Sequence, residues 1–364
     1  MKTTINRIEL LEGLKKLGHI IDGKTSIPIL TGVKISTSTD GKLQLIGGST
    51  IAIASVEIET IHTETNGSLV LSYKKFTDFL KKSKANNIEI ETLDNNQSSI
   101  KAGNIDYKLM YDDSSNYPLL PKAQFEYMNL DVNEYKRIIS NTAFTVAKSD
   151  SRPVLKGISI RTDSNKLNFV GTDSHRLGRY TIDTELENID VVPDGKMLEK
   201  SIKMLNKNTK SITIGIDENY TLIQFDDVNL FIKNIEGNYP DVNRLIPDNY
   251  TTEIKIDSKQ TIESVSMLST IAKEDRNNVI RMELNGKIEM YTNSPEIGSM
   301  TAKLEGEKQG EDLKISMNAV YLDEAIKAIN EPKTSMRFSG SMRPFVALSN
   351  DYKAMQLILP VRTY

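Results

Sequence analysis

The sequence predicts an α+β chain built from three tandem copies of one domain, each with two helices on antiparallel sheets. The first ground is internal repetition. Ile27-Pro28-Ile29-Leu30-Thr31-Gly32-Val33 leads through an alternating strand to Gly47-Gly48-Ser49. Arg152-Pro153-Val154-Leu155-Lys156-Gly157-Ile158 leads through a like strand to Gly171-Thr172-Asp173, so Gly47 and Gly171 stand 124 residues apart. Asn278-Val279-Ile280-Arg281-Met282 leads in the same order to Tyr291-Thr292-Asn293-Ser294, and Asn116-Tyr117-Pro118 recurs as Asn238-Tyr239-Pro240 at an offset of 122. The second ground is length: 364 residues exceed one ordinary core and fit three domains of about 120 residues. The third is the order of elements, which mixes many short strands with two helices per repeat and shows no regular βαβ alternation. The expected boundaries are 1–123, 124–250 and 251–364.

Each repeat opens with a strand and a capped helix. Asn6 followed by Glu9 reads as a capping box, ahead of an apolar face of Ile8, Leu11 and Leu14 with Leu10 and Leu17. A strand over 42–46 and a second helix over 72–82 follow, and the prolines of 118–121 make a short, stiff connector. In the second repeat Asn133 precedes Tyr135, Ile138, Ile139, Thr142 and Val146 at helical spacing; a helix over 196–208 and an alternating strand over 211–216 come next. After the connector 240–247, Asp257 with Gln260 opens a helix carrying Ile262, Val265, Leu268 and Ala272. A second helix over 318–329 and a strand over 355–359 complete the third repeat.

Composition excludes several functions. No apolar run is long enough to cross a membrane, and the start Met1-Lys2-Thr3-Thr4-Ile5-Asn6 lacks a secretory core, which predicts a cytoplasmic protein. The absence of cysteine removes disulfides, thiol catalysis and zinc ribbons together. The formal charge of −3 argues against holding nucleic acid by overall basicity, so any anion-binding surface must be a local arrangement of lysines.

Thr172-Asp173-Ser174-His175 suggests a nucleophile, a base and an orienting acid. Adjacent positions do not place such groups in relay geometry, however, and the alternative is a turn whose polar side chains cap local backbone. His19, His62 and His175 lie in separate segments, without the paired spacing of a transition-metal site. Neither phosphate-cradling glycine motif is present, so no cofactor is expected. Lys196, Lys200, Lys203, Lys207 and Lys210 step by four and three, placing them on one helix face opposite Met197, Leu198, Ile202 and Leu205. Lys74, Lys75, Lys81, Lys82 and Lys84 give the first repeat a similar basic helix. One such stripe is an ordinary solvated face; its recurrence in two repeats suits a symmetric polyanion contacted through its phosphates.

Six stretches together carry a resemblance that extends in order along the chain. They are Arg152-Pro153-Val154-Leu155-Lys156-Gly157, Gly171-Thr172-Asp173-Ser174-His175-Arg176-Leu177, Gly237-Asn238-Tyr239-Pro240-Asp241, Asn293-Ser294-Pro295-Glu296, Gly340-Ser341-Met342-Arg343-Pro344-Phe345, and the terminus from Gln356 to Tyr364. The chain resembles the bacterial sliding clamp family, the beta subunit of DNA polymerase III, in its Gram-positive branch. The resemblance implies a head-to-tail homodimer closed into a ring, with basic helices around sequence-independent double-stranded DNA, and a processivity factor without catalysis of its own. It implies a cleft for linear peptide motifs of the polymerase III alpha subunit, the clamp loader, repair polymerases and ligase. Its wall would be Arg152, Leu155, Thr172, His175, Arg176, Leu177, Pro240, Leu245, Pro344, Leu357, Leu359 and Arg362. Lys24, Lys200, Lys203 and Lys207 would face DNA. Tyr107 and Leu109 would meet Met267 and Leu268 of the other subunit, with Lys81, Lys82 and Lys84 near Glu296, Glu305 or Glu307. Two departures stand out: Gly47-Gly48-Ser49-Thr50 lacks the aspartate of the equivalent turn, and Pro153-Val154 replaces aromatics that touch DNA in some relatives. The competing function is an enzyme on a triplicated α+β scaffold using the Asp173/His175 turn.

Overall fold

Helix caps and alternating strands organise a computed structural model that describes residues 1–38, 40–274 and 277–362. Six α-helices are present among these residues: α1 Arg7–Gly18, α2 Tyr73–Lys82, α3 Val132–Thr142, α4 Gly195–Met204, α5 Ser258–Ala272 and α6 Ala319–Ile329. Every strand ladder among them is antiparallel. The chain forms two compact units, residues 1–132 with 196–234 and residues 133–195 with 235–364, so the units do not follow the repeats.

In the first unit, a five-stranded sheet runs in the order His62–Thr65, Lys2–Asn6, Asn87–Thr92, Gln97–Ala102, Ile105–Met110. An eight-stranded sheet runs Glu126–Asp131, Ser211–Ile216, Tyr220–Phe225, Val228–Lys233, Ala52–Glu59, Lys42–Gly48, Gly32–Thr37, Ser68–Ser72. The larger sheet crosses the repeat boundary, because Val228–Lys233 pairs with Ala52–Glu59 and puts Phe231 opposite Ile53. Asn6 caps α1 by accepting from the amides of Ile8 and Glu9. Leu10, Leu14 and Leu17 are fully buried where α1 lies on the strands Lys42–Gly48 and Ala52–Glu59, each such burial being worth about 1.5–3 kcal/mol. Ile8 is 57% exposed, a departure from the expected apolar face. At 100° per residue it lies about 200° from Leu10, on the far side of the helix.

In the second unit, a nine-stranded sheet runs Asp190–Val191, Ser159–Asp163, Lys166–Thr172, Arg176–Asp183, Ala354–Ile358, Phe345–Leu348, Lys333–Phe338, Thr252–Asp257, Gly306–Gly310. A four-stranded sheet runs Gly298–Leu304, Ile288–Ser294, Val279–Leu284, Leu313–Asn318. Here too the sheet joins two repeats, with Leu177 opposite Leu357. Asp257 accepts from the Gln260 amide and caps α5 as expected, while Asn318, expected as the first residue of α6, caps it instead by accepting from the amides of Val320 and Tyr321. Helix α3 starts at Val132, so Asn133 lies inside it and Asp131 is the residue before it. The end of α3 rests directly on Gly171 and Gly178, which face each other across neighbouring strands. A Cβ at Gly171 would lie 2.3 Å from the Thr142 carbonyl oxygen, and one at Gly178 2.1 Å from that of Asn141. Only glycine permits this approach.

Candidate functional site: an apolar cleft and a lysine surface

The second unit gathers the apolar residues that the resemblance assigns to a cleft. Leu155 enters from the 3-10 turn Pro153–Lys156, Leu177 from the strand Arg176–Asp183, and Leu357 from the neighbouring strand Ala354–Ile358. All three are buried in one cluster with Val170, Val192, Tyr239, Val242, Val346, Leu348 and Met355, and Leu359 packs half-buried against it. The Leu359 amide donates to the His175 carbonyl at 3.0 Å, extending the ladder beyond the strand, and the Val361 amide donates to the Ser316 carbonyl at 2.8 Å. Around this cluster Arg152, His175, Pro240, Leu245 and Arg362 are exposed, and Pro344 is half-buried.

Two assignments shift. Leu245 is 46% exposed, and its neighbour Ile246 packs on the cluster instead. Arg176 is only 6% exposed and is held entirely by protein. Its Nε donates to Asp173 Oδ2 at 3.0 Å, its Nη2 to the Phe144 carbonyl at 2.9 Å, and its Nη1 to Glu324 Oε2. The guanidinium also lies over the rings of Tyr321, at 4.5 Å, and Phe144, at 5.1 Å. Arg176 therefore braces the turn and ties it to Glu324 and the Phe144 carbonyl.

The turn between the two strands is built from its own polar groups. Asp173 Oδ1 accepts from the amides of His175, at 2.9 Å, and Arg176, at 3.1 Å, while Ser174 adopts a φ of 75°. Thr172 Oγ1 donates to the Arg176 carbonyl at 2.6 Å and accepts from the Ser174 amide at 3.2 Å. The Asp173 carboxylate is thus spent on backbone and guanidinium rather than on the His175 ring, and the turn has no relay. Tyr239 closes the cluster from the connector, its hydroxyl donating to the Val170 carbonyl at 3.1 Å. Tyr117 does the same for a matching cluster in the first unit, donating to the Gly32 carbonyl at 3.2 Å. Burial pushes both phenols well above the usual tyrosine range. The Asn-Tyr-Pro repeat marked both tyrosines in the sequence, but not their place in the clusters. Glu324, Ile246 and Val346 carried no motif.

In the first unit, α4 ends at Met204, which corrects the expected helix over 196–208. Asn206 Oδ1 accepts from the amides of Asn208 and Thr209, at 2.7 and 3.0 Å, and this local turn competes with further helix. Lys196, Lys200 and Lys203 thus share the helix, while Lys207 and Lys210 are exposed beyond it. Met197, Leu198 and Met204 are buried on the opposite side. Lys203 lies 3.6 Å from Glu199, both largely exposed, and Lys200 is half-buried. His19, where α1 ends, feels the same lysines. Its pKa is lowered from the ordinary histidine value by burial, then by Lys203 and Lys200. Lys24 is exposed, its amide donating to Asp22 Oδ1 at 3.0 Å.

The expected subunit contacts divide. In the first unit Tyr107 is half-buried with its ring centroid 5.0 Å from that of Phe79, and Leu109 is buried. Their strand, Ile105–Met110, is a sheet edge with Ile105 and Met110 exposed. Met267 is 61% exposed, whereas Leu268 is fully buried. Leu268 belongs to the inward face of α5 with Val265 and Ala272, which removes it as a surface contact. Lys81, Lys82, Lys84, Glu296, Glu305 and Glu307 are all exposed.

Known proteins share both the sequence and the fold. The chain matches the DNA polymerase III beta subunit family in order: its N-terminal domain over residues 1–121, its central domain over 129–241 and its C-terminal domain over 243–362. It is 33% identical to the beta sliding clamp of Bacillus subtilis over 378 residues, covering both chains completely. The beta sliding clamp of Staphylococcus aureus is 33% identical over 376 residues, with complete coverage again. The crystal structure of the Bacillus subtilis DNA polymerase sliding clamp superposes with a TM-score of 0.95 at 32% identity, covering 100% of each chain. With three domain matches in sequence order and full-length relatives at a third identity, the chain belongs to the DNA polymerase III beta subunit family, the bacterial beta sliding clamps.

Proposed function

We propose that two copies of this chain close head to tail into a ring around duplex DNA and tether a polymerase and other replication and repair proteins for processive synthesis. The full-length match to beta sliding clamps carries this reading. Enclosure retains the DNA, so individual contacts can remain weak, and a protein of net charge −3 needs only a local lysine surface. Lys24, Lys200, Lys203 and Lys207 supply it on this reading, through mobile phosphate contacts that carry no base preference.

The repeats are taken as 1–123, 124–250 and 251–364. The ring seam joins Tyr107 and the open edge Ile105–Met110 of one subunit to Met267 of the other, with the lysines of 81–84 facing glutamates. The cleft on Leu155, Leu177, Leu357 and Leu359 receives short peptides of the polymerase alpha subunit, the clamp loader, repair polymerases and ligase. Buried leucines form its floor and the exposed Arg152 and Arg362 its charged rim. The reading places the protein in the cytoplasm, with the DNA; no described helix is long and apolar enough to cross a membrane.

Truncation before Pro360 tests the separation of seam and cleft. It removes Arg362 and the rim beyond Leu359, so peptide affinity should vanish while sedimentation still reports a dimer. Unchanged peptide affinity would refute the cleft, and loss of the dimer would make the terminus structural.

A further inference from the structure

Arg179 follows Leu177 by two residues on one strand and shares its face of the sheet. It lines a cavity of about 290 Å³ whose wall includes Val170, Tyr239 and Val242 of the apolar cluster, together with Pro240. The side chain is half-buried, and burial lowers its pKa from the ordinary arginine value. A guanidinium has five donors. The recorded contact of this one is to the Met355 sulfur, at 3.9 Å, and no oxygen acceptor among the described residues meets it. The other deep guanidiniums of the unit are paired: Arg176 with Asp173, and Arg337 with Glu253 at 3.1 Å.

The other charged and amide groups that line the cavity are paired or exposed. Arg161 is tied to Asp190 at 2.8 Å. Asp241 accepts from Arg244 Nε at 3.1 Å and from the Asn243 amide at 3.2 Å. Asn168 Oδ1 is taken by the Thr181 hydroxyl, and Asp163 is exposed. The cavity therefore holds one partly desolvated planar fork without an acceptor. That fork matches a carboxylate, which it can bind through two parallel hydrogen bonds.

We propose that the Arg179 cavity anchors a carboxylate of a peptide docked on the Leu155, Leu177, Leu357 and Leu359 cluster. The inference rests on the peptide-docking reading above and adds to it a requirement for an acidic group at one register. The carboxylate has two sources, an acidic side chain or the peptide's own C-terminus.

Short synthetic peptides with leucine and phenylalanine anchors would carry a single glutamate walked along the sequence, beside glutamine counterparts. Each would be made as free acid and as amide and titrated by fluorescence anisotropy against the full chain, Arg179→Met, Arg179→Lys and Asp163→Asn. At one register the glutamate peptide should bind about tenfold more tightly than its counterpart, the scale of a charge-assisted hydrogen bond. Arg179→Met should erase that preference and Arg179→Lys restore part of it. Asp163→Asn, which removes a nearby negative charge, should enlarge it, so a poorly folded arginine variant leaves the question decidable. A preference that follows the free acid instead of the glutamate, and is lost in Arg179→Met, supports the pocket with the C-terminus as its ligand. No preference at any register, or one that survives Arg179→Met, overturns the proposal. Failure of every peptide to bind the wild type would overturn the docking reading itself, and this pocket with it.

Discussion

Replacing Arg176 by methionine keeps much of the side-chain volume between Phe144 and Tyr321 but removes every hydrogen bond of the guanidinium. The arginine side chain is 7% exposed, its Asp173 partner 18% and its Glu324 partner 37%. Removing one member of a buried ion pair costs about 3–5 kcal/mol, because the other charge and its acceptors stay behind in a desolvated site. Glu324 is exposed enough to be rehydrated and contributes little to the loss, which places the expected cost near about 3 kcal/mol. The loss should be local, falling on the turn and on the terminal ladder it holds. Native-state amide exchange reads it at His175 and Arg176, whose amides donate to Asp173, and at Leu359, whose amide donates to the His175 carbonyl. These amides should exchange roughly two orders of magnitude faster in the variant. Glu324→Gln should accelerate them less than about tenfold. Near-wild-type exchange in Arg176→Met would refute the supporting role. Loss of peptide affinity with unchanged exchange would instead make Arg176 a ligand contact.

Other perturbations give equally direct readings. Gly178→Ala drives a Cβ into the Asn141 carbonyl and should cost about 1–3 kcal/mol; unchanged stability in denaturant would contradict the close packing of α3 on the sheet. Lys200→Ala and Lys203→Ala should shallow the salt dependence of residual DNA binding by roughly one unit per lysine, equally for all sequences, and a base-sequence preference would contradict phosphate-only contact. Burial alone would raise the pKa of Asp351, but hydrogen bonds from Ser349, Arg137 and the Lys353 amide outweigh it and hold it at about 2. Since the folded value lies below the unfolded one, the stabilisation is present above the ordinary aspartate value of 3.8 and is lost as the pH falls toward about 2. Asp351→Asn should flatten that part of the acid-unfolding profile, and an identical profile would remove the argument.

Repetition and capping were legible because they are local. Asn6 and Asp257 each sit before an apolar periodic run, and Gly47 and Gly171 mark the repeat; the cap at Asn318 and the helix end that rests on Gly171 carried no such signal. The pairings that merge the repeats were not legible. Phe231 opposite Ile53 and Leu357 opposite Leu177 join strands about 180 residues apart, and nothing in either strand names its partner. Lysine spacing extended α4 too far because the four-and-three step continues through Asn206, where a side-chain turn takes over the backbone. The resemblance named leucines that share one apolar cluster, but it did not carry the depth of each assigned side chain. Leu245 is exposed while Ile246 packs on the cluster, Arg176 is buried among Asp173, Glu324 and the Phe144 carbonyl, and at the expected subunit contact Leu268 is core.

Topological retention on DNA tests the central claim most directly. The protein would be loaded by a clamp loader onto nicked circular DNA, cleared of free protein at high salt, and followed by gel filtration before and after a single restriction cut. An encircling dimer stays on the closed circle, where weak phosphate contacts suffice, and runs off once the DNA has ends. Equal retention on circular and linear DNA, or loss from both at the same rate, would contradict a ring that holds DNA by enclosure.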